Sequence, residues 1–162
     1  MLHTTSIRVA LATLVACATF GASTAQARTA HRYTSTIENV ALSTGGGYPA
    51  PGGSAVLAGS WATSLYGNGA LIDHVTITGH PTSDTFTFRG TEVGFLPHGT
   101  IRDKFIGTAT VLSNGTQKVS TKGRFNGGTG MYRGATGSFK FTGRTSPGSS
   151  VVIGRSAGTI SY

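Results

Sequence analysis

The chain has 162 residues, with 13 Lys and Arg against 5 Asp and Glu for a net charge of +8, 25 glycines and a single cysteine. That length holds one domain with a modest core, and a lone thiol excludes intrachain disulfides and cysteine-built zinc sites. Glycine at this level without a Gly-X-Y period excludes collagen and announces frequent turns.

The chain opens with Arg8, the apolar run "VALATLVACATFGA" and the small-residue stretch "STAQA". This is the order of a secretory signal peptide cleaved after Ala27, and the run is too short for a stable membrane span. "LVAC", Leu14 to Cys17, also fits a lipobox, in which Cys17 would carry a lipid and tether the protein to a membrane. Continuation of the apolar run past Cys17 favours free secretion. The expected organisation is a signal peptide over 1–27 and one domain over 28–162. Without the signal peptide, twelve basic residues face five acidic ones, a net +7. Such a surface attracts anionic polymers or lipid headgroups weakly, or simply keeps a secreted protein in solution. The cations are dispersed without a run of Lys or Arg, so no specific nucleic-acid partner is expected.

Beyond residue 28 no helical periodicity is sustained. Threonine, valine and aromatic stretches alternate with Gly, Pro and Asn punctuation, which predicts strands over 32–42, 54–66, 71–78, 85–95, 100–113, 117–126, 136–144 and 151–161. The separators carry turn chemistry: "TGGGYPAPGG", "GNG", "GHPTSD", "LPHG", "NGT" and "TSPGSS". Short links join antiparallel neighbours. The fold class is therefore all-β, an eight-stranded antiparallel up-and-down barrel, with a two-sheet sandwich as the alternative.

Period-two alternation separates the wall's two sides. Ile101, Asp103, Phe105, Gly107 and Ala109 share one face of the fifth strand, and Val119, Thr121, Gly123 and Phe125 share one face of the sixth. Those faces meet through a three-residue loop over 114–116, with Gly107 opposite Gly123 and Ala109 opposite Thr121. Small inward residues are then expected to leave a void for a ligand. Gly107 and Gly123, with Trp61, Phe86, Phe88, Phe105 and Phe125, are the candidate pocket residues. Trp61 and Tyr66 differ in parity, so one packs inside while the other faces out or caps a rim.

Asp73, Glu92 and Asp103 each share a strand face with apolar residues, where burial raises a carboxyl pKa and suits it to acid–base work. A symmetric hairpin through "FLPHG" sets Glu92 directly opposite Asp103 near the barrel mouth. These three are the candidate catalytic residues. The competing interpretation puts Glu92 and Asp103 near strand ends, solvated or paired with Arg89, Arg102 or Lys104. Asp73 and His74 point to opposite sides. The histidines lack metal-ligand spacing and no G-x-S-x-G elbow occurs, so no metal or cofactor is expected. Asn114-Gly115-Thr116 is a glycosylation sequon that a turn explains equally well.

"NGGTGMYRGATG", residues 126–137, lacks the Walker lysine and is followed by the strand-like "SFKFTGR" rather than a helix, so it is no phosphate loop. Glycines 127, 128, 130 and 134 are expected at positive φ, with Tyr132 folded back as a plug over one barrel end and Arg133 outside. The stretch "GRFNGGTGMYRGATGSFKFTG" resembles the G-G-T-G-x-[FY]…A-x-G signature of dirigent proteins and allene oxide cyclase-like barrels. Gly127, Gly128, Thr129, Gly130 and Tyr132 match that signature, and "KFIGTATVLSNG" resembles the hairpin before it; the likeness spans residues 100–143. The resemblance implies an eight-stranded barrel, often trimeric, with a lumen for a hydrophobic small molecule whose cyclisation, isomerisation or stereoselective coupling it guides. Its motif carries structure and no chemistry, and no catalytic position transfers. Non-catalytic carriage of a lipophilic ligand and binding of anionic surface polymers are the alternatives.

Overall fold

The computed structural model describes residues 28–162; the signal-peptide and lipobox expectations fall on residues outside these. All eight expected strands are present: β1 (Ala30–Gly45), β2 (Ser54–Thr63), β3 (Gly67–Thr82), β4 (Thr85–Leu96), β5 (Gly99–Val111), β6 (Gln117–Gly128), β7 (Thr136–Arg144) and β8 (Val151–Ser161). Each pairs antiparallel with the next, and β8 returns to β1, from Ala30 opposite Ser161 to Val40 opposite Val151. The result is a closed barrel rather than a sandwich, and closure leaves no free sheet edge.

Some boundaries differ from the sequence pattern. β2 stops at Thr63 because the Thr63 Oγ1 accepts a hydrogen bond from the Tyr66 N–H at 2.8 Å, turning the chain early. β3 absorbs the "GNG" and "GHP" separators and runs from Gly67 to Thr82, with register shifts around Gly79. The β5–β6 loop is three residues long, as expected, but spans 113–115. The Leu112 N–H donates to the Thr116 carbonyl and the Gly115 N–H to the Leu112 carbonyl, both at 2.8 Å, with Gly115 at φ +79°. Moving the loop by one residue slides the register by two. The inward faces stay inward, but Gly107 now faces Thr121 and Phe105 faces Gly123.

That register sets up an alternation around the wall. Gly90 faces Phe105, Phe105 faces Gly123, Gly123 faces Phe139, Phe139 faces Gly158, and Gly158 faces Tyr33. A Cβ on Gly123 would overlap the Phe139 ring, and one on Gly90 would overlap that of Phe105. Gly107 is covered in the same way, a Cβ there falling 2.6 Å from Phe88 Cζ. The expectation that glycine leaves a void is therefore corrected. Each gap is filled by the ring opposite, which gains contact the glycine makes possible.

The β2–β3, β4–β5 and β6–β7 connections close one barrel end. Trp61, Leu71, Leu96, Ile101, Phe125 and Ile160 form its buried floor, and Trp61 lies over Gly94. The glycine-rich segment completes this end through a single 3-10 turn, Gly130–Tyr132. Tyr132 is buried, its hydroxyl donates to the Pro97 carbonyl at 2.8 Å, and its ring meets those of Tyr66 and Tyr162 edge-on. Tyr66 thus caps the rim while Trp61 packs inside. Gly127, Gly130 and Gly134 have positive φ, as expected. Gly128 does not; a Cβ there would overlap the Thr100 carbonyl oxygen, so close approach is its constraint. Thr129 Oγ1 accepts from the Thr100 N–H at 3.0 Å, tying the segment to β5.

Candidate functional site

At the opposite end the 46–53 turn folds over β3. The Gly52 N–H donates to the Ile77 carbonyl, the Ile77 N–H donates to that of Gly53, and His80 Nε2 donates to the Pro49 carbonyl at 2.7 Å. Beneath lies a cavity of about 110 Å³. One water needs roughly 10–15 Å³ by the same kind of measure, so there is space for a ring or a short chain. Phe86, Phe88, Phe105, Phe139 and Phe141 supply its aromatic wall, and Ala55 and Ala109 leave the space between them. Tyr48, 37% exposed, borders the cavity from the 46–53 turn.

Three of the seven expected pocket residues line this cavity: Phe86, Phe88 and Phe105. Trp61 and Phe125 belong to the floor of the closed end, and Gly107 and Gly123 lie under rings. Those four assignments are corrected, because alternation reports which side of the wall a residue faces and not its height along the barrel.

The three candidate acids come together. Asp73 faces Glu92 across β3–β4, and Glu92 faces Asp103 across β4–β5. All are buried, at 5%, 7% and 2% exposure. Asp73 and Glu92 line the cavity, while Asp103 lies beside Glu92 away from it. The strand-end, ion-paired interpretation is excluded. Arg89, Arg102 and Lys104 are exposed on the outer face, across the wall from the carboxyls. The pair is also an interior feature rather than one at the mouth.

Burial, followed by the neighbouring carboxyls, pushes Asp73 and Glu92 well above the ordinary carboxylate range. Asp103 is pushed up to about 8, first by burial and then by the charge of Asp73. No donor reaches either oxygen of Asp103, nor Asp73 Oδ1. The polar groups beside them are other carboxyls, so a hydrogen bond forms there only when one partner carries a proton. Burial and the neighbouring carboxyls therefore favour the protonated form along this row, and a proton shared between facing partners would supply the hydrogen bonds they lack.

Two contributors escaped the sequence reading. Asn39 donates from Nδ2 to Asp73 Oδ2 at 2.8 Å, crossing β2 above Gly59, where a Cβ would overlap Asn39 Oδ1. Tyr33 bonds Ser156 Oγ at 3.2 Å, and burial with the nearby Glu92 and Asp103 raises its phenol. Their signal was the alternation of Tyr33, Ser35, Ile37 and Asn39 along β1, a polar group on an otherwise inward face. His74 is exposed and does not join Asp73. Among the described residues, no group of three or more His, Cys, Asp or Glu could hold a metal ion, and no helix is long and apolar enough to cross a membrane.

The chain matches no protein-family model, and no curated protein matches it significantly.

Proposed function

We propose that the barrel is a secreted protein that binds a hydrophobic small molecule in its lumen and guides its cyclisation, isomerisation or coupling by proton transfer. The observation that carries this reading is an aromatic cavity with two buried carboxyls, Asp73 and Glu92, on its wall, both raised well above the ordinary carboxylate range by burial. An apolar cavity with few convergent polar groups and perturbed acids suits a small ligand with one protonatable atom. Binding would orient the ligand, and a carboxyl would donate to, or withdraw from, the atom whose charge changes. Asp103 would restore the proton through Glu92. The likeness of residues 100–143 to dirigent and allene oxide cyclase-like barrels points the same way, and the closed eight-stranded wall supports it. A trimer is part of that proposal.

The test is extraction of the purified protein followed by mass spectrometry of what it carried. A defined apolar ring compound, converted by the parent and bound but not converted by Asp73→Asn/Glu92→Gln, supports guided chemistry. Equal conversion by that variant removes the acids from the reaction. Tight binding without conversion by the parent leaves a carrier.

A further inference from the structure

The geometry points to a second, independent site: the outer face of β5–β7 docks a linear phosphate polymer through its repeating charges. Folding gathers cations that look scattered in the sequence. All nine Lys and Arg of β4–β8 are exposed, whereas the two carboxyls of those strands, Glu92 and Asp103, are buried inside the barrel. Outward-pointing cations oppose one another directly: Lys104 faces Arg124, Lys122 faces Lys140, and Lys118 faces Arg144. Opposed like charges on adjacent strands repel and cost stability, and no carboxylate on this face offsets them. A bound polyanion would.

The face is also shaped. A groove of about 900 Å³ runs across β5 to β8, with Lys104, Lys122, Arg124 and Lys140 along it and the hydroxyls of Ser138 and Thr159 beside them. Neighbouring strands stand about 4.8 Å apart, and alternate residues along one strand about 7 Å apart. Cations at those intervals engage several charges of one chain, which no single carboxylate ligand can supply. Lysine is a compact point charge suited to phosphate oxygens, and hydroxyls donate to the same groups. Phe105, Phe125 and Phe139 border the groove from the inner side of the wall, the first two buried and the third half-buried, and the exposed aromatics Tyr48 and Phe95 lie outside it, so it offers no open platform on which bases could stack. Ile106, 64% exposed, is the one exposed large apolar side chain along it, too little for membrane insertion. The occupant is therefore a phosphate chain recognised by charge density, rather than a nucleic acid read by its bases or a lipid surface.

Binding of long-chain inorganic polyphosphate to the purified protein tests this, measured at low and moderate salt. Affinity should fall steeply with salt. Lys122→Ala/Lys140→Ala should weaken it about tenfold or more and lower the salt slope by about two. Arg28→Ala/Arg133→Ala removes the same charge elsewhere and should leave affinity within about twofold. The melting temperature of the lysine variant should stay at or above the parent's, because repulsion is relieved. Equal loss in both variants would reduce the effect to net charge, and absence of binding at low salt would overturn the site. Equal affinity for polyglutamate, or tighter retention on phosphatidylglycerol vesicles, would overturn the phosphate-polymer assignment. Luminal ligand content is read separately and need not change in either variant.

Discussion

Glu92 stands directly opposite Asp103 across the β4–β5 ladder, and no donor meets either Asp103 oxygen. A carboxyl in that position keeps its proton when folded and releases it when unfolded. Asp103 goes from its usual 3.8 to about 8, so this contribution to stability is fully present below pH 3.8 and is lost as pH rises toward 8. Stability should fall with rising pH across that window, by up to about 1.4 kcal/mol per pH unit for each proton held. Asp103→Asn should remove one proton's share of the slope and be more stable than the parent at pH 8. Denaturant unfolding from pH 5 to pH 8 checks both, and a flat parent profile would reject buried, protonated carboxyls.

Ala109 is fully buried, faces Phe86 and borders the cavity. Ala109→Leu should fill part of the 110 Å³ space with less strain than the one to three kcal/mol typical of a packed core, about 1 kcal/mol or less. Ligand recovered by extraction should drop to a small fraction of the parent's. An unchanged load would show that the ligand resides elsewhere.

Gly123 and Phe139 should behave as one unit. Gly123→Ala drives a methyl into the ring opposite and should cost about 1–3 kcal/mol. Phe139→Leu alone should also destabilise, yet the double variant should lose less than the two costs combined. Simple additivity in denaturant unfolding would mean that the ring does not occupy the glycine's place.

Tyr132 closes the barrel floor by both packing and polarity. Tyr132→Phe should cost about 0.5–1.5 kcal/mol by leaving the Pro97 carbonyl without its donor. Tyr132→Ala should cost about 3–5 kcal/mol, since it also empties the contact with Tyr66 and Tyr162. Equal losses in the two variants would assign the whole effect to the hydroxyl.

Features that depend on local rules were legible in the residues alone. Turn residues and period-two alternation set the number of strands and the side each residue faces. The short "FLPHG" hairpin sufficed to bring Glu92 against Asp103, and the glycine-rich segment to fold Tyr132 inward. Which inward residues meet across strands, and at what height, emerged only with the closed barrel. Asp73 joins the acids through a β3–β4 register altered by shifts near Gly79, and Asn39 reaches it across β2 because Gly59 has no side chain. One residue's displacement in the β5–β6 loop placed Phe105, rather than Gly107, opposite Gly123. The same closure gathered the cations of β5–β7 on one outer face. Parity is a property of each chain segment, whereas filling a lumen and gathering charge on its exterior depend on the curvature and register of all eight strands together.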